Sequence, residues 1–446
     1  MIVKGKKFTV VGMGETGIET ANFLARKGGY VVLLDRRPRA EIGTATDRLD
    51  ISIETFWETE EIPLGTEHII LSPGVDVAAP FLAEAKRRKV EVIGEIELAS
   101  RFNLAPIIAV TGSNGKTTTT TLIGKMLEAD GKKVRVGGNI GTPFIKLVDE
   151  DGVLDYMVLE ISSFQLETIK QLRPAIAAIL NLTPDHLDRH KTFNRYVALK
   201  ERIAINQTLD DSLILNADDP ETVRMAVDLP VKKFFFSRER EVEVGAWLDE
   251  KILRVRVPGN EYDIGSVEGL PLAARFQIEN VLAAMALAGL AGISRAAVMK
   301  AVQGFVGLQH RMEWVCSVRG VDYINDSKGT NVGSVVKSLG DMDRPVILVF
   351  GGRDKGGDFL PLLPLFKTKV RRLILIGESR QRVKNILNGI PPFEEAESLE
   401  QAVRRAAETA QAGDVVLLSP GCASFDMFEN YVDRGEKFKV LVGKII

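Results

Sequence analysis

Cysteine is almost missing from this chain: Cys316 and Cys422 are the only two in 446 residues. Two such distant thiols make no disulfide framework, which points to a reducing compartment, the cytoplasm. A charge excess is missing as well. Lys and Arg number 58 against 60 Asp and Glu, a formal net charge of -2, so the chain lacks the electrostatic footprint of a nucleic-acid binder. The basic run Lys86-Arg87-Arg88-Lys89 is local and reads as the solvated end of a helix. Long apolar runs are absent too. The most apolar helical stretch, around 281–293, is shorter than the roughly 20 residues that cross a bilayer. Met1–Val10 runs straight into a strand, without the pattern of a signal peptide. What remains is an ordinary globular composition, 45% hydrophobic and 26% charged, in a length that predicts about three domains.

One stretch organises the rest. Ile107–Val110 is an apolar strand, Thr111-Gly112-Ser113-Asn114-Gly115-Lys116-Thr117-Thr118 a glycine-containing loop, and the residues through Leu122 and Met126 a helix. Gly112 and Gly115 let backbone N–H groups turn toward phosphate oxygens, and the helix points its positive end at the same place. Lys116 suits the β/γ-phosphates and the Thr117 hydroxyl suits Mg²⁺. The loop is shorter than the usual phosphate loop, with two residues between its glycines.

Ahead of it, strand Phe8–Val11 runs into Gly12-Met13-Gly14-Glu15-Thr16-Gly17 and a helix, and strand Val31–Leu34 ends at Asp35. This is a Rossmann fingerprint. Alone it leaves a nicotinamide or flavin enzyme open. A third strand, His68–Leu71, ends in Ser72-Pro73-Gly74, at the sheet edge where ligands bind or where an ordinary tight turn sits. The Glu91–Arg101 segment leads out of this first domain.

After the phosphate loop, Val134–Val136 is a strand followed by a glycine-rich loop carrying Asn139, which reaches phosphate or metal or merely turns the chain. The apolar strand Tyr156–Leu159 ends at Glu160, where a Mg²⁺ ligand belongs in a phosphate-loop domain. Strand Ala175–Leu180 ends in Asn181-Leu182-Thr183-Pro184-Asp185-His186, and the charged surroundings of His186 favour a functional role over a structural one. A helix over 193–206 carries an apolar stripe of Tyr196, Leu199 and Ile203, with Lys200 one step off it and therefore exposed. Strand Asp211–Ala217 closes with Asn216-Ala217-Asp218-Asp219-Pro220 at the same edge, and a strand-rich insert over Lys232–Val267 precedes a long helix from about Phe276. In the last third, paired strands at Met312–Val318 and Val321–Asn325, then Val346–Phe350, Leu373–Ile376 and Val415–Leu418 with helices between them, make βα units and hence a parallel sheet.

Taken together, Thr111–Thr117, Gly138-Asn139-Ile140-Gly141, Glu160-Ile161-Ser162-Ser163-Phe164-Gln165-Leu166, Asn181–His190 and Leu308-Gln309-His310-Arg311 resemble the Mur ligase superfamily of ATP-dependent amide-forming enzymes. The ends Leu71-Ser72-Pro73-Gly74-Val75 and Leu418-Ser419-Pro420-Gly421-Cys422-Ala423-Ser424-Phe425-Asp426-Met427-Phe428 favour the branch that adds D-glutamate, and the Asp-Asn-Pro-Arg motif of the diaminopimelate- and lysine-adding branch is absent.

The resemblance implies an α/β protein of three domains. A Rossmann-like domain over 1–94 would bind a UDP-sugar substrate, a central ATPase-type parallel sheet with flanking helices over 95–307 would bind ATP, and a Rossmann-like domain over 308–446 would bind the amino acid. It sets Gly14, Glu15, Thr16, Asp35, Arg37, Ser72 and Gly74 around the uridine and diphosphate of UDP-N-acetylmuramoyl-L-alanine, with Asn139 on the sugar side. Gly112, Ser113, Asn114, Gly115, Lys116, Thr117 and Thr118 would hold ATP, with Asn280 at adenine, Asp326 at ribose and Arg311 at a phosphate. His310, Lys328, Thr330, Lys355, Ser424 and Tyr431 would surround D-glutamate, cations and hydroxyls suiting its two carboxylates. Lys200 matches a lysine that relatives carry as an N-carboxylated residue, so that Thr117, Glu160, His186 and modified Lys200 would hold two Mg²⁺ ions. Arg353-Asp354 departs from the pattern of some relatives, and the acid would admit a basic acceptor. The implied partners are small molecules acted on by a monomer.

The residues themselves favour carboxylate activation: phosphoryl transfer makes an acyl phosphate, an amine attacks it, and a cationic site steadies the tetrahedral oxyanion. Lys116, Glu160 and His186 are the catalytic candidates on the residues, and the resemblance adds Lys200 to them. A hydride-transfer reading leaves the phosphate loop, Glu160 and His186 without a task.

Overall fold

The computed structural model describes every residue except Lys355, Asn388, Ile390 and Ile446, and the backbone alone of Asp228. Among the described residues the strands form three sheets. The chain divides into two compact units, one of Met1–Leu182, Val197–Gly265 and Glu279–Ala301, the other of Thr183–Tyr196, Ser266–Ile278 and Val302–Ile446.

The first unit contains two of the sheets. In the first, β1 (Lys7–Val11), β2 (Tyr30–Leu34), β3 (Glu54–Phe56), β4 (His68–Leu71) and β5 (Glu91–Gly94) lie in the order β3-β2-β1-β4-β5, each pair parallel. The strand order reverses between β1 and β4, which opens a crevice at their carboxyl ends. The Glu91–Arg101 segment begins as the edge strand Glu91–Gly94 and continues as helix Glu95–Ser100 before the second sheet starts at Ile107. The edge strand's residues Glu91 and Val92 are only half buried, and the Glu91 charge is met by Arg101 at 2.9 Å, so the strand lacks the apolar run that marks an interior strand.

The second sheet comprises β6 (Ile107–Thr111), β7 (Val134–Gly138), β8 (Tyr156–Glu160), β9 (Ile176–Ile179), β10 (Ser212–Asn216), β11 (Lys232–Ser237), β12 (Gly245–Asp249), β13 (Ile252–Val257) and β14 (Asn260–Ser266). Their order is β14-β13-β12-β11-β10-β9-β6-β8-β7. The anticipated insert is thus an extension of this sheet, turned antiparallel at β12 and β13. Ile108, Val110, Val158, Leu159, Ala177 and Ile214 are fully buried, as expected where helices cover both faces. Helix Lys116–Ala129 lies close on β7 because Gly124 has no side chain; a Cβ there would fall 2.7 Å from Val136.

Helix Phe193–Glu201 is shorter than expected and continues as one 3₁₀ turn, Arg202–Ala204, a common tightening at helix ends. Its buried face consists of Tyr196, Val197, Lys200, Ile203 and Ala204. Leu199 is only half buried. Lys200, expected in solvent, is 1% exposed. Helix Ile278–Leu290 is buried on nearly every side, and among the described residues no helix is long and apolar enough to cross a membrane.

The second unit holds the third sheet: β15 (Glu313–Val318), β16 (Val321–Asn325), β17 (Val346–Gly351), β18 (Val370–Ile376), β19 (Phe393–Glu395) and β20 (Val415–Leu418), in the order β15-β16-β20-β17-β18-β19. Only the β15–β16 hairpin is antiparallel.

Where the first two sheets meet, Glu95 is 2% exposed and takes a 2.7 Å hydrogen bond from the Ile145 N–H. Its other oxygen, Oε2, has no hydrogen-bond partner among the described residues. Burial pushes this carboxyl up to about 7, against the backbone bonds from Ile145 and Phe144. Between the ordinary 4.5 and about 7 the folded chain therefore holds a proton that the unfolded chain has lost, so stability falls as pH rises through that window. A carboxyl moved that far should lower the unfolding free energy by up to about 3 kcal/mol between pH ~4.5 and ~8. Denaturant unfolding of wild type and Glu95→Gln across this range should show that part of the slope in wild type alone.

Candidate active site

Most of the candidate side chains lie in loops that leave the carboxyl ends of the three sheets' strands. At the first, the Asp35 carboxylate accepts from the Met13 N–H at 2.7 Å and from Arg37 Nε and Nη2 at 3.0 and 2.8 Å. Burial acts to raise this carboxyl, but the bonds from Arg37 and Met13 hold it down at about 2. Ser72 Oγ donates to the Gly12 carbonyl at 3.0 Å, tying the β4 turn to the glycine turn after β1. Gly17 must be glycine, since a Cβ would fall 1.8 Å from the Gly12 oxygen. Gly14 and Gly74 are open, with nothing within 4 Å of an added Cβ. Gly14 precedes helix Glu15–Arg26, whose first turn carries Glu15 and Thr16. An open, glycine-lined helix N-terminus is a natural anion cradle.

At the second sheet the phosphate loop leaves β6 with Gly112 at φ +148° and Gly115 at φ +83°. Lys116 Nζ folds back onto the Gly112 and Ser113 carbonyls, both at 2.8 Å. Thr117 Oγ1 donates to Glu160 Oε2 and Asn139 Nδ2 donates to Glu160 Oε1, each at 2.8 Å. Lys200 Nζ donates to Thr111 Oγ1 and the Gly112 carbonyl at 3.0 and 2.9 Å. Ser113 and Thr118 are buried, and Asn280 packs on Gly115 closely enough that a Cβ there would meet its Oδ1 at 2.1 Å. One loop therefore gathers Lys116, Thr117, Asn139, Glu160, Lys200 and Asn280. Just beyond Glu160, Ser162 caps helix Ser163–Leu166.

Glu160 is 2% exposed, and among the described residues no cationic side chain forms an ion pair with it. A buried carboxylate met only by a hydroxyl and an amide lacks a counter-charge. A hydroxyl beside a carboxylate at a phosphate loop is also the oxygen set that Mg²⁺ takes, with waters and phosphate oxygens completing its shell. The residues fit that ion.

In the second unit, His186 adopts φ +53° ahead of helix Leu187–His190, with Nε2 3.7 Å from Asp185 Oδ2. Asn331 Nδ2 donates to the same Asp185 oxygen at 3.2 Å. His190 is buried against the Tyr196 ring and serves packing. Around the 325–330 loop, Lys328 Nζ stands 4.0 Å over the Tyr431 ring, a cation–π contact. His310 lies edge-on to the same ring at 6.1 Å, its Nδ1 3.0 Å from Asn325 Nδ2. Burial lowers the His310 pKa, so its ring favours the neutral form.

Asp326 is enclosed, accepting from Ser338 and Ser419 at 2.7 and 2.8 Å, and burial raises it to about 6. In this structure it braces the start of the loop; Arg311, whose charge acts on it, follows His310 directly. The Thr330 N–H donates to the Lys328 carbonyl at 2.8 Å, and Ser424 is buried on the neighbouring 419–424 turn. Lys355 lies outside the described residues. Asp354 pairs with Arg382 and accepts from the Gly356 and Gly357 N–H groups.

Sequence reading missed Arg434. It is fully buried on helix Tyr431–Gly443 and donates to Ser327 Oγ, the Ser327 carbonyl and the Cys422 carbonyl at 3.0, 2.7 and 3.3 Å. Its position three residues after Tyr431 was the only available signal.

Three α/β sheets, the middle one with a glycine phosphate loop closed by a strand-end carboxylate, define a nucleotide-dependent phosphate-loop protein. Residues 6–94 match the MurD-like N-terminal domain of Mur ligases, 110–288 the Mur ligase middle domain, and 310–422 the Mur ligase glutamate ligase domain. The chain belongs to the Mur ligase family. It is 43% identical to the UDP-N-acetylmuramoylalanine–D-glutamate ligase of Geotalea daltonii, over 99% of this chain and 98% of that one. It is 44% identical to the ligase of the same name from Koribacter versatilis, over 100% and 99%. Among solved structures it shares the fold of MurF from Acinetobacter baumannii, with TM-score 0.62, 17% identity and 98% and 91% of the two chains covered. It likewise shares that of the pseudomurein peptide ligase type C of Methanothermus fervidus, with TM-score 0.61, 20% identity and 99% and 100% covered.

Gly115→Ala should both strain the left-handed loop residue and push Asn280 aside. The expected outcome, by calorimetry with ATP and Mg²⁺, is affinity lowered at least about tenfold, with stability down by about 1–2 kcal/mol.

Proposed function

We propose that this protein joins D-glutamate to UDP-N-acetylmuramoyl-L-alanine with consumption of ATP, releasing ADP and phosphate, as a cytoplasmic step of peptidoglycan precursor synthesis. The observation that carries the reading is the Thr117–Glu160–Asn139 constellation on the phosphate loop, in a chain whose full-length relatives bear that activity in their name. In this reading residues 1–94 hold the UDP-sugar substrate, 95–307 ATP and 308–446 the amino acid.

The chemistry follows from the residues. Gly14, Glu15, Thr16, Asp35, Arg37, Ser72 and Gly74 seat the UDP moiety, Asn139 lies on its sugar side, and the substrate carboxylate faces the γ-phosphate. Lys116, released from the loop carbonyls, neutralises the phosphates while the loop N–H groups cradle them. The substrate carboxylate attacks phosphorus, ADP leaves, and an acyl phosphate forms. The amine of D-glutamate, placed by His310, Lys328, Thr330, Lys355, Ser424 and Tyr431, attacks that carbonyl and loses a proton. The tetrahedral oxyanion then collapses to the amide and expels phosphate. Asn280, Arg311 and Asp326 complete the ATP site. Thr117 and Glu160 would hold one Mg²⁺, and His186 with Lys200 as a carbamate a second; the ions supply positive charge to the transferring phosphoryl group. An unmodified Lys200 ammonium repels a metal ion, whereas its carbamate is an anionic oxygen ligand.

Phosphate release should require ATP, UDP-N-acetylmuramoyl-L-alanine and D-glutamate together, and Lys116→Ala should lower it by at least about a hundredfold. Release with D-lysine in place of D-glutamate would contradict the acceptor assignment. For Lys200, wild-type protein in ¹³C-bicarbonate should give a carbamate resonance that Lys200→Ala lacks; its absence in wild type would remove the modification from the scheme.

A further inference from the structure

The Asn216–Pro220 turn closes β10 at the phosphate-loop edge but has no part in the reaction above. Its polar groups grip the chain that leaves β9. Asn216 Nδ2 donates to the Leu180 carbonyl at 3.0 Å, and Asp219 Oδ2 accepts from the Leu182 N–H at 2.7 Å. Its Oδ1 caps helix Pro220–Asp228 through the Glu221 and Thr222 N–H groups. Between the two gripped residues stands Asn181. Its Oδ1 accepts from the Asn114 N–H at 2.8 Å, and its Nδ2 donates to the Asn114 carbonyl at 3.1 Å. The Asn181 carbonyl takes the Ser113 N–H at 2.9 Å. The primary amide thus pairs with both backbone groups of one loop residue, fixing its peptide orientation as a strand partner would.

We propose that Asn181 is the positioning residue of the phosphate loop, and that Asn216 and Asp219 form a brace which holds Asn181 in register. The proposal rests on the ATP reading above. A glycine loop gains phosphate affinity from N–H groups already held in their bound directions. The Ser113 and Asn114 N–H groups are taken up by Asn181, and these bonds fix the peptide path that aims the N–H groups of the loop residues after them.

The test is nucleotide binding by calorimetry on the full chain, with ATP and Mg²⁺, beside KM for each of the three substrates. Losing the two side-chain bonds in Asn181→Ala should weaken ATP binding about tenfold, with KM for the other two substrates within about twofold. Asn181→Asp, which keeps the acceptor for the Asn114 N–H but loses the donor, should fall between wild type and Asn181→Ala. Asp219→Asn keeps the helix cap but sets an amide donor against the Leu182 N–H; it should weaken ATP binding about threefold. Because the brace acts through Asn181, the double variant should match Asn181→Ala, whereas two merely structural lesions would multiply. ATP binding unchanged in Asn181→Ala, or losses that multiply, would overturn the proposal. A wild-type chain that binds no ATP would overturn the ligase reading itself and the proposal with it.

Discussion

A phosphate loop must keep its backbone rigid while aiming N–H groups at a ligand, and this constraint orders the first unit. β6 lies inside its sheet between β9 and β8, so its loop is reached from both flanks. The register does the rest. Val110 on β6 pairs with Glu160 on β8, and Glu160 with Gly138 on β7. On the other side Thr111 pairs with Ile179. Residues far apart in sequence therefore converge within hydrogen-bond reach of one turn, as parallel strands deliver their carboxyl ends to a common edge.

Buried charge is the second consequence. Glu160 and Lys200 are both nearly solvent-free, where an uncompensated charge costs several kcal/mol. For Glu160 the chain offsets part of this with neutral partners, a hydroxyl and an amide; Lys200 donates to a hydroxyl and a carbonyl. A hydroxyl and an amide leave the Glu160 charge in place. A site arranged in this way is prepared for ions and phosphates that complete its electrostatics. The contrast with Asp35 is informative: there Arg37 supplies the counter-charge within the chain, so the carboxylate can brace the glycine turn on its own.

Most of the sheet framework was legible in the sequence because buried parallel strands are continuous apolar runs; Tyr156–Leu159 and Ala175–Leu180 fall nearly on β8 and β9. The short edge strands β3, β5 and β19 were not, since half-exposed three- or four-residue segments carry no such run. The phosphate loop, Glu160 and Asn139 were legible from motif and strand-end position. The burial of Lys200 was not. On its helix, periodicity marks a face only by apolar residues, so a lysine sharing the buried face with Tyr196 and Ile203 reads as solvent-exposed. The roles of Asn181 and Asp219 were hidden for another reason: they bind backbone, and backbone partners leave no trace in residue identity.

The second unit meets the same requirement with a different device. The 325–330 loop carries Lys328, and what must be fixed there is a flexible cationic side chain as well as a backbone. Arg434 has no carboxylate at ion-pair distance among the described residues, and burial lowers it to about 10. Its guanidinium instead grips Ser327 and the Cys422 carbonyl, joining two loops from one helix. The same helix supplies Tyr431, whose ring lies under the Lys328 ammonium. Since Arg434 and Tyr431 are one helical turn apart, the element that clamps the loop backbone also sets where its cation rests. A rigid fork with several donors suits such a clamp better than a lysine would. Displacing that helix would therefore move the loop and its charge together.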